Sequence, residues 1–195
     1  VDKRTHHYKT RSGNFQLDAD GRLVSPTNGF VVQGRMYENG RALDGIQDFP
    51  PDMNYSNEIH RFGRAGELYG QANREKLMAF VEYMAEKKVG WSPTMSIYEA
   101  NRDLLRSQHL PWYEEYLHPS LEAYFQASMA NHGSYFFGWT TAQEAKWKQM
   151  YRVWFDALRH FGSRGGLITT GDDAGYIWSL YGFGIIRELE LHEEA

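Results

Sequence analysis

The chain has 195 residues, of which 42% are hydrophobic and 24% charged, with a formal net charge of -4. That size and balance suit one soluble globular domain with a real core and exclude disorder and collagen, while the missing basic field excludes nucleic acid as a partner. No stretch approaches the roughly 18 consecutive apolar residues of a membrane span, no signal-like start is visible, and without cysteine any metal must rest on His, Asp and Glu.

The expectation is a soluble protein with no membrane partner. Its compartment stays open between a bacterial-type cytoplasm and periplasm. Aromatic residues make up 15%, with six Trp and thirteen Tyr. Either some of them line a cleft or an interface, or all of them pack helices on a sheet.

Residues 1–55 are rich in Gly, Asn, Asp and Pro, with short apolar pieces such as "GRLVSP" and "GFVVQGRMY". That is the texture of strands and turns. "DFPPDMNY" then breaks the chain, because paired prolines continue neither a helix nor a central strand.

From 56 to 195 the character changes. "NREKLMAFVEYMAEKKVG" sets Leu77, Phe80, Val81 and Met84 on one helical face, with cationic residues in the last turn. "VGWSPTM" predicts a short strand ending at Pro93 and Thr94, and "SIYEANRDLLRSQ" returns to helix. Residues 95–140 form a long excursion with helical pieces and the aromatic loop "NHGSYFFGW". A capping box from Thr141 to Glu144 announces a second long helix, whose stripe from Trp147 to Phe161 reads as core. "GGLITTG" follows as a short strand with Leu167 and Ile168 buried on both faces, and a last helix begins near Phe183. The chain begins on Val1 and finishes within the amphipathic run Ile185, Ile186, Leu189 without a glycine cap or a proline stop. It therefore reads as a piece of a longer protein.

Alternation of helix and strand predicts βαβ units with a parallel sheet covered by helices, an α/β fold. Carboxyl ends of barrel strands carry catalytic side chains, and excursions after a strand sit over the active site. Asp172 and Asp173, in "TTGDDAG", stand at such an end, flanked by small residues that permit a sharp turn and close approach of a ligand or metal. On spacing alone, helix capping or turn chemistry explains an aspartate after a strand at least as well.

"GGLITTGDDAGYIWSLYGFGIIRELELHEEA" resembles the end of the metal-dependent amidohydrolase superfamily barrel, whose last strand delivers an aspartate in a Gly-x-Asp-Ala/Ser-Gly setting. "EKKVGWSPTMSIYEANRDLL" resembles the preceding strand, and "DFPPDMNYSNEIHRFGRAGELYGQ" extends the likeness to about Asp44. The resemblance implies the later part of a TIM-like (β/α)8 barrel with long helical and aromatic insertions, the C-terminal βα units lying in 56–195. Within the Gly/Asn-rich stretch 1–55, residues 1–43 then read as an insertion. It further implies that Asp173 touches a divalent metal, zinc being the expected ion, and moves a proton from the attacking water. The substrate implied is a small amide or cyclic amide with a non-peptide C–N bond. The family's His-x-His pair and its other histidine ligands have no counterpart here, since His6 and His7 are adjacent. The remaining ligands, and the rest of the barrel as a partner, belong outside this chain, and a homo-oligomer stays open.

Tyr98, Glu99, Tyr176 and Trp178 follow the two strand ends and are expected to line the substrate pocket, Glu99 sharing a mouth with Asp173. His60 and His132 are expected mainly to make structural hydrogen bonds. His109, His118, His160 and His192 read as surface or packing residues. Two further functions compete: a glycosidase using one of the paired aspartates with Glu99, and a non-catalytic carbohydrate- or peptide-binding module, against which the long helices argue.

Overall fold

The computed structural model describes residues 16–17, 23–24, 46, 50–54, 56–129 and 133–195. His6, His7, His132 and the predicted strand in "GFVVQGRMY" lie outside the described residues. The chain divides into two units, Val1–Arg41 and Ala42–Ala195. In the first, β1 (Gln16–Leu17) pairs antiparallel with β2 (Leu23–Val24), Leu17 opposite Leu23. The second of these strands falls in the predicted "GRLVSP".

The second unit is mostly helical. A π-helical turn, Ile59–Arg64, leads into α1 (Ala65–Tyr69), and α2 (Arg74–Glu86) follows after an Asn73 cap whose side chain accepts the Lys76 N–H. Leu77, Val81 and Met84 pack together as the helical spacing predicts, with Phe161 and Ala157 opposite them, while Phe80, predicted on the same face, belongs to none of the buried clusters among the described residues. The lysines expected in the last turn stand just beyond it, Lys88 taking a left-handed φ of 55° that ends the helix.

A two-stranded parallel sheet lies next: β3 (Gly90–Trp91) pairs with β4 (Leu167–Ile168), Gly90 opposite Leu167 and Trp91 opposite Ile168. The two strands are parallel, as the alternation predicts. Burial of β4 on both faces is not found. Ile168 packs with Trp91 against Phe161, whereas Leu167 points the other way and is 64% exposed. Adjacent residues of a strand face opposite sides, and among the described residues helices cover one side alone.

Between the strands, the predicted single helix over "SIYEANRDLLRSQ" is three pieces: a 3-10 turn Met95–Tyr98, then α3 (Glu99–Arg102) and α4 (Leu104–Gln108). The break is at Asp103, whose extended backbone (φ -161°) frees its side chain to cap α4 by accepting the Arg106 N–H. Short helices α5 (Tyr113–Tyr116) and α6 (Pro119–Phe125) complete the excursion.

Helix α7 (Thr141–Ser163) is the long central element. Its capping box is one residue earlier than predicted: Thr140 and Gln143 close it, while the Glu144 carboxylate instead accepts the Leu104 N–H at 3.2 Å. Trp147, Tyr151, Leu158 and Phe161 are buried as expected of the stripe. Gly66 of α1 has to be glycine, because a Cβ there would lie within the Trp147 ring. The last helix, α8 (Phe183–Glu194), starts where predicted but turns a different face inward. Gly184, Glu188 and Leu191 are buried, and Ile186 and Leu189 are 58% and 54% exposed.

Candidate active site

Beyond their pairing, β3 and β4 run on side by side. The Thr169 N–H donates to the Trp91 carbonyl, and a Cβ on Gly171 would lie 3.1 Å from the Ser92 hydroxyl and 3.9 Å from Thr94. Both strand ends then turn through left-handed backbone at residues other than glycine: Thr94 (φ 49°) after β3, and Asp173 (φ 49°), Ile177 (φ 37°) and Trp178 (φ 66°) after β4. Such conformations cost on the order of 1–3 kcal/mol each and persist where the surroundings enforce them, which is most often at functional sites.

The enforcement is visible after β3. Glu188 of α8 is completely buried, and its two oxygens accept the Met95 and Ser96 N–H groups at 2.9 and 2.6 Å. His192 lies 3.2 Å from the same carboxylate, and the Tyr151 hydroxyl donates to the Met95 carbonyl from α7. A buried carboxylate is tolerable with such partners and costly without them.

Glu99 makes the second tie to α8. Arg187 grips it with Nε and Nη2 at 2.7 and 2.9 Å, Arg102 donates to it as well, and Arg106 lies 3.5 Å away. Burial pushes the Glu99 carboxyl up, but the Arg187 and Arg102 hydrogen bonds outweigh it and hold the group below the ordinary carboxyl range. A carboxylate so engaged ties α3 to α8 and is poorly suited to act as a general acid.

The two adjacent aspartates have different surroundings. Asp172 is half-buried against the first turn of α8, its Oδ2 only 2.6 Å from where a Cβ on Gly184 would stand. Glycine makes that approach possible, and the positive end of the helix dipole favours the carboxylate. Among the described residues Asp172 makes no hydrogen bond and does not cap α8, whose N-cap is Gly182, so its place there rests on the Gly184 contact and the helix dipole. Asp173 is exposed, and among the described residues its carboxylate takes part in no hydrogen bond or ion pair.

Tyr98 stands nearby. Its ring stacks on Trp147 with centroids 5.5 Å apart. Burial first, then the Asp173 charge, raises its phenol above the ordinary range, and Arg61 acts in the opposite sense. Tyr98 and Asp173, both named from the sequence, are therefore in electrostatic reach of each other.

Trp178 is in the core, 6% exposed, tilted against Tyr113 and Phe125, and its carbonyl accepts the Tyr113 hydroxyl. Tyr176 is half-buried at the edge of that cluster; burial first, then Tyr176, raises the Tyr124 phenol above its ordinary range. Among the expected pocket residues, then, Tyr98 keeps company with Asp173, while Glu99 and Trp178 are engaged in structure.

No relative identifies the site. Comparison with protein-family models, curated proteins and solved structures yields no match. Among the described residues there is no group of three or more His, Asp or Glu side chains placed to hold a metal ion, and no helix is long and apolar enough to cross a membrane. His60 accepts the Asn54 N–H on Nδ1, which is a structural hydrogen bond. His160 bonds to Glu82 and His192 to Glu188, so both act in packing and hydrogen-bond networks.

Sequence reasoning missed Glu188 and Arg187. Both sit in "IIRELELHEE", where charged residues on an amphipathic helix read as solvated. The available signal was the isolated Glu188 in step with Gly184 and Leu191, three positions that share one helical face.

Proposed function

We propose that this chain is the later part of a TIM-like barrel of the amidohydrolase type. It contributes the strand-end aspartate to a metal-dependent hydrolysis of a non-peptide C–N bond in a small amide or cyclic amide. The observation that carries the reading is Asp173: an exposed carboxylate without a hydrogen bond among the described residues, held in left-handed backbone at the end of a parallel strand. Asp172 packs against Gly184 at the start of α8, whereas Asp173 faces outward.

The barrel architecture draws support from the parallel pair and from apolar surfaces at Leu167, Ile186 and Leu189, which further βα units would cover. Asp173 has the chemistry of one ligand for a divalent ion. The proposal assigns the other ligands to chain outside the described residues. A bound divalent ion supplies a water of lowered pKa and polarises the amide carbonyl.

Asp173 takes the proton released as the water oxygen bonds to the acyl carbon, and passes it to the nitrogen as the C–N bond breaks. The products are a carboxylic acid and an amine. Tyr98, stacked on Trp147, forms a wall of the site and offers its hydroxyl to the substrate. Glu188 and Arg187 hold the β3 end in place from α8 without touching the reacting atoms.

In the full-length protein, Asp173→Asn is expected to lower kcat/KM on amide substrates by about a hundredfold or more with an unchanged far-ultraviolet circular dichroism spectrum. Retention of full activity would defeat the proposal. Activity in the wild type that survives complete metal removal would favour the glycosidase reading, which the ion-paired state of Glu99 already disfavours.

A further inference from the structure

Two buried polar side chains without partners converge on one cavity. Among the described residues, the Ser96 hydroxyl and the Trp112 indole N–H are shut off from solvent and make no hydrogen bond. Ser96 as a whole is only 6% exposed. Both residues line an enclosed space of about 30 Å³ between the turn after β3, the loop after β4 and the first turn of α8. A space of that size holds about two waters or one small ion. Native structures seldom leave such groups unpaired, because desolvation without a partner is costly.

The wall selects what fills the space. An indole N–H only donates, so its partner has to be an acceptor. Arg106 and Arg187 stand on the same wall. Arg187 is taken up by Glu99, Glu190 and Glu194, whereas the Arg106 guanidinium meets Glu99 at 3.5 Å and makes no hydrogen bond among the described residues. Glu99, the carboxylate on the wall, already accepts from Arg102 and Arg187. Asp172 touches the Gly184 position without lining the cavity. Gly184 adds the positive end of α8, whose N-cap residue supplies no side-chain hydrogen bond. Leu110, Ile177 and Leu180 close the apolar side and keep out the water that would screen these charges.

We propose that this cavity is a binding site for a small monovalent inorganic anion of the chloride class, which accepts from the Ser96 hydroxyl and the Trp112 N–H and is balanced in charge by Arg106. The Ser96 side chain is presented from a fixed turn, because its own backbone N–H is held by Glu188 at 2.6 Å. Ser96 follows β3, and Ile177 and Leu180 follow β4, so the bound anion ties the two strand-end loops to each other and to α8. The site is separate from Asp173 and does not depend on the hydrolysis proposed there.

The test uses the full-length protein in two measurements. Crystals grown in sodium bromide are expected to show an anomalous scattering peak in the cavity, within hydrogen-bond reach of Ser96 and Trp112. In solution, thermal unfolding is followed while chloride replaces gluconate at constant ionic strength, gluconate being too bulky to enter. The wild type is expected to gain about 2–4 °C in melting temperature, saturably, over and above any change in the variants. Ser96→Ala and Trp112→Phe are each expected to keep the circular dichroism spectrum and lose this gain, while Arg152→Gln on the exposed side of α7 keeps it. A cavity that holds water alone in bromide would overturn the proposal. So would a bromide peak without the gain in solution, which would mean an adventitious ion only, and so would a gain that survives both Ser96→Ala and Trp112→Phe.

Discussion

Helices α7 and α8 are both amphipathic in sequence, and they solve burial in opposite ways. In α7 the apolar stripe is the buried stripe: Trp147, Tyr151, Leu158 and Phe161 are all inside. In α8 a carboxylate is inside, and Ile186 and Leu189 are outside. The difference shows what decides a helix face. Burying an aliphatic side chain contributes about 1.5–3 kcal/mol, and a hydrogen bond to a charged group about 1.5–3 kcal/mol. Glu188 makes two such bonds to the backbone at Met95 and Ser96, so the polar face competes on equal terms. The helix is thereby oriented by the strand-end loop it holds, and the turn Met95–Tyr98 is fixed as a result.

The contrast can be broken most severely at α7. Trp147→Ala is expected to cost about 3–5 kcal/mol in urea-induced unfolding, because the ring fills the space over Gly66, stacks on Tyr98 and donates to Gly63. A loss below 1 kcal/mol would mean that the stripe is not the core. Glu188→Gln is expected to cost about 2–3 kcal/mol in the same measurement, since one backbone N–H loses its acceptor and the other its charge assistance. A neutral result would show that α8 is oriented by something other than this carboxylate. The smallest effect tests the outward face: Ile186→Ser is expected to lower the stability of the full-length protein by about 1.5–2 kcal/mol if barrel units cover α8. A change within about 0.5 kcal/mol would indicate a solvated face and remove that support for the barrel.

These differences mark what was legible in the sequence. The long helices, the parallel β3 and β4, and the α7 core follow from periodicities within a few turns of chain. The capping box was misplaced by one residue because Thr140 and Thr141 are both suitable caps, and the choice between them involves Glu144 reaching Leu104, forty residues away. The inversion of α8 was illegible for the same reason on a larger scale: the partners of Glu188 lie more than ninety residues earlier. At the candidate site, position after a strand picked out Asp173 but could not separate it from Asp172. The separation comes from Gly184, which admits one carboxylate against α8 and leaves the other facing outward. Glu99 and Trp178 were placed by proximity to strand ends, and their engagement by Arg187 and Tyr113 is a long-range fact.

The central claim is that Asp173 is a metal-linked catalytic group and Asp172 a structural one. It is tested most directly by the metal content of the full-length protein, measured by elemental analysis for the wild type, Asp173→Asn and Asp172→Asn. The account predicts a stoichiometric divalent ion in the wild type, lowered or lost in Asp173→Asn and retained in Asp172→Asn. A protein without metal in all three forms, or one whose metal content is indifferent to Asp173, would contradict it.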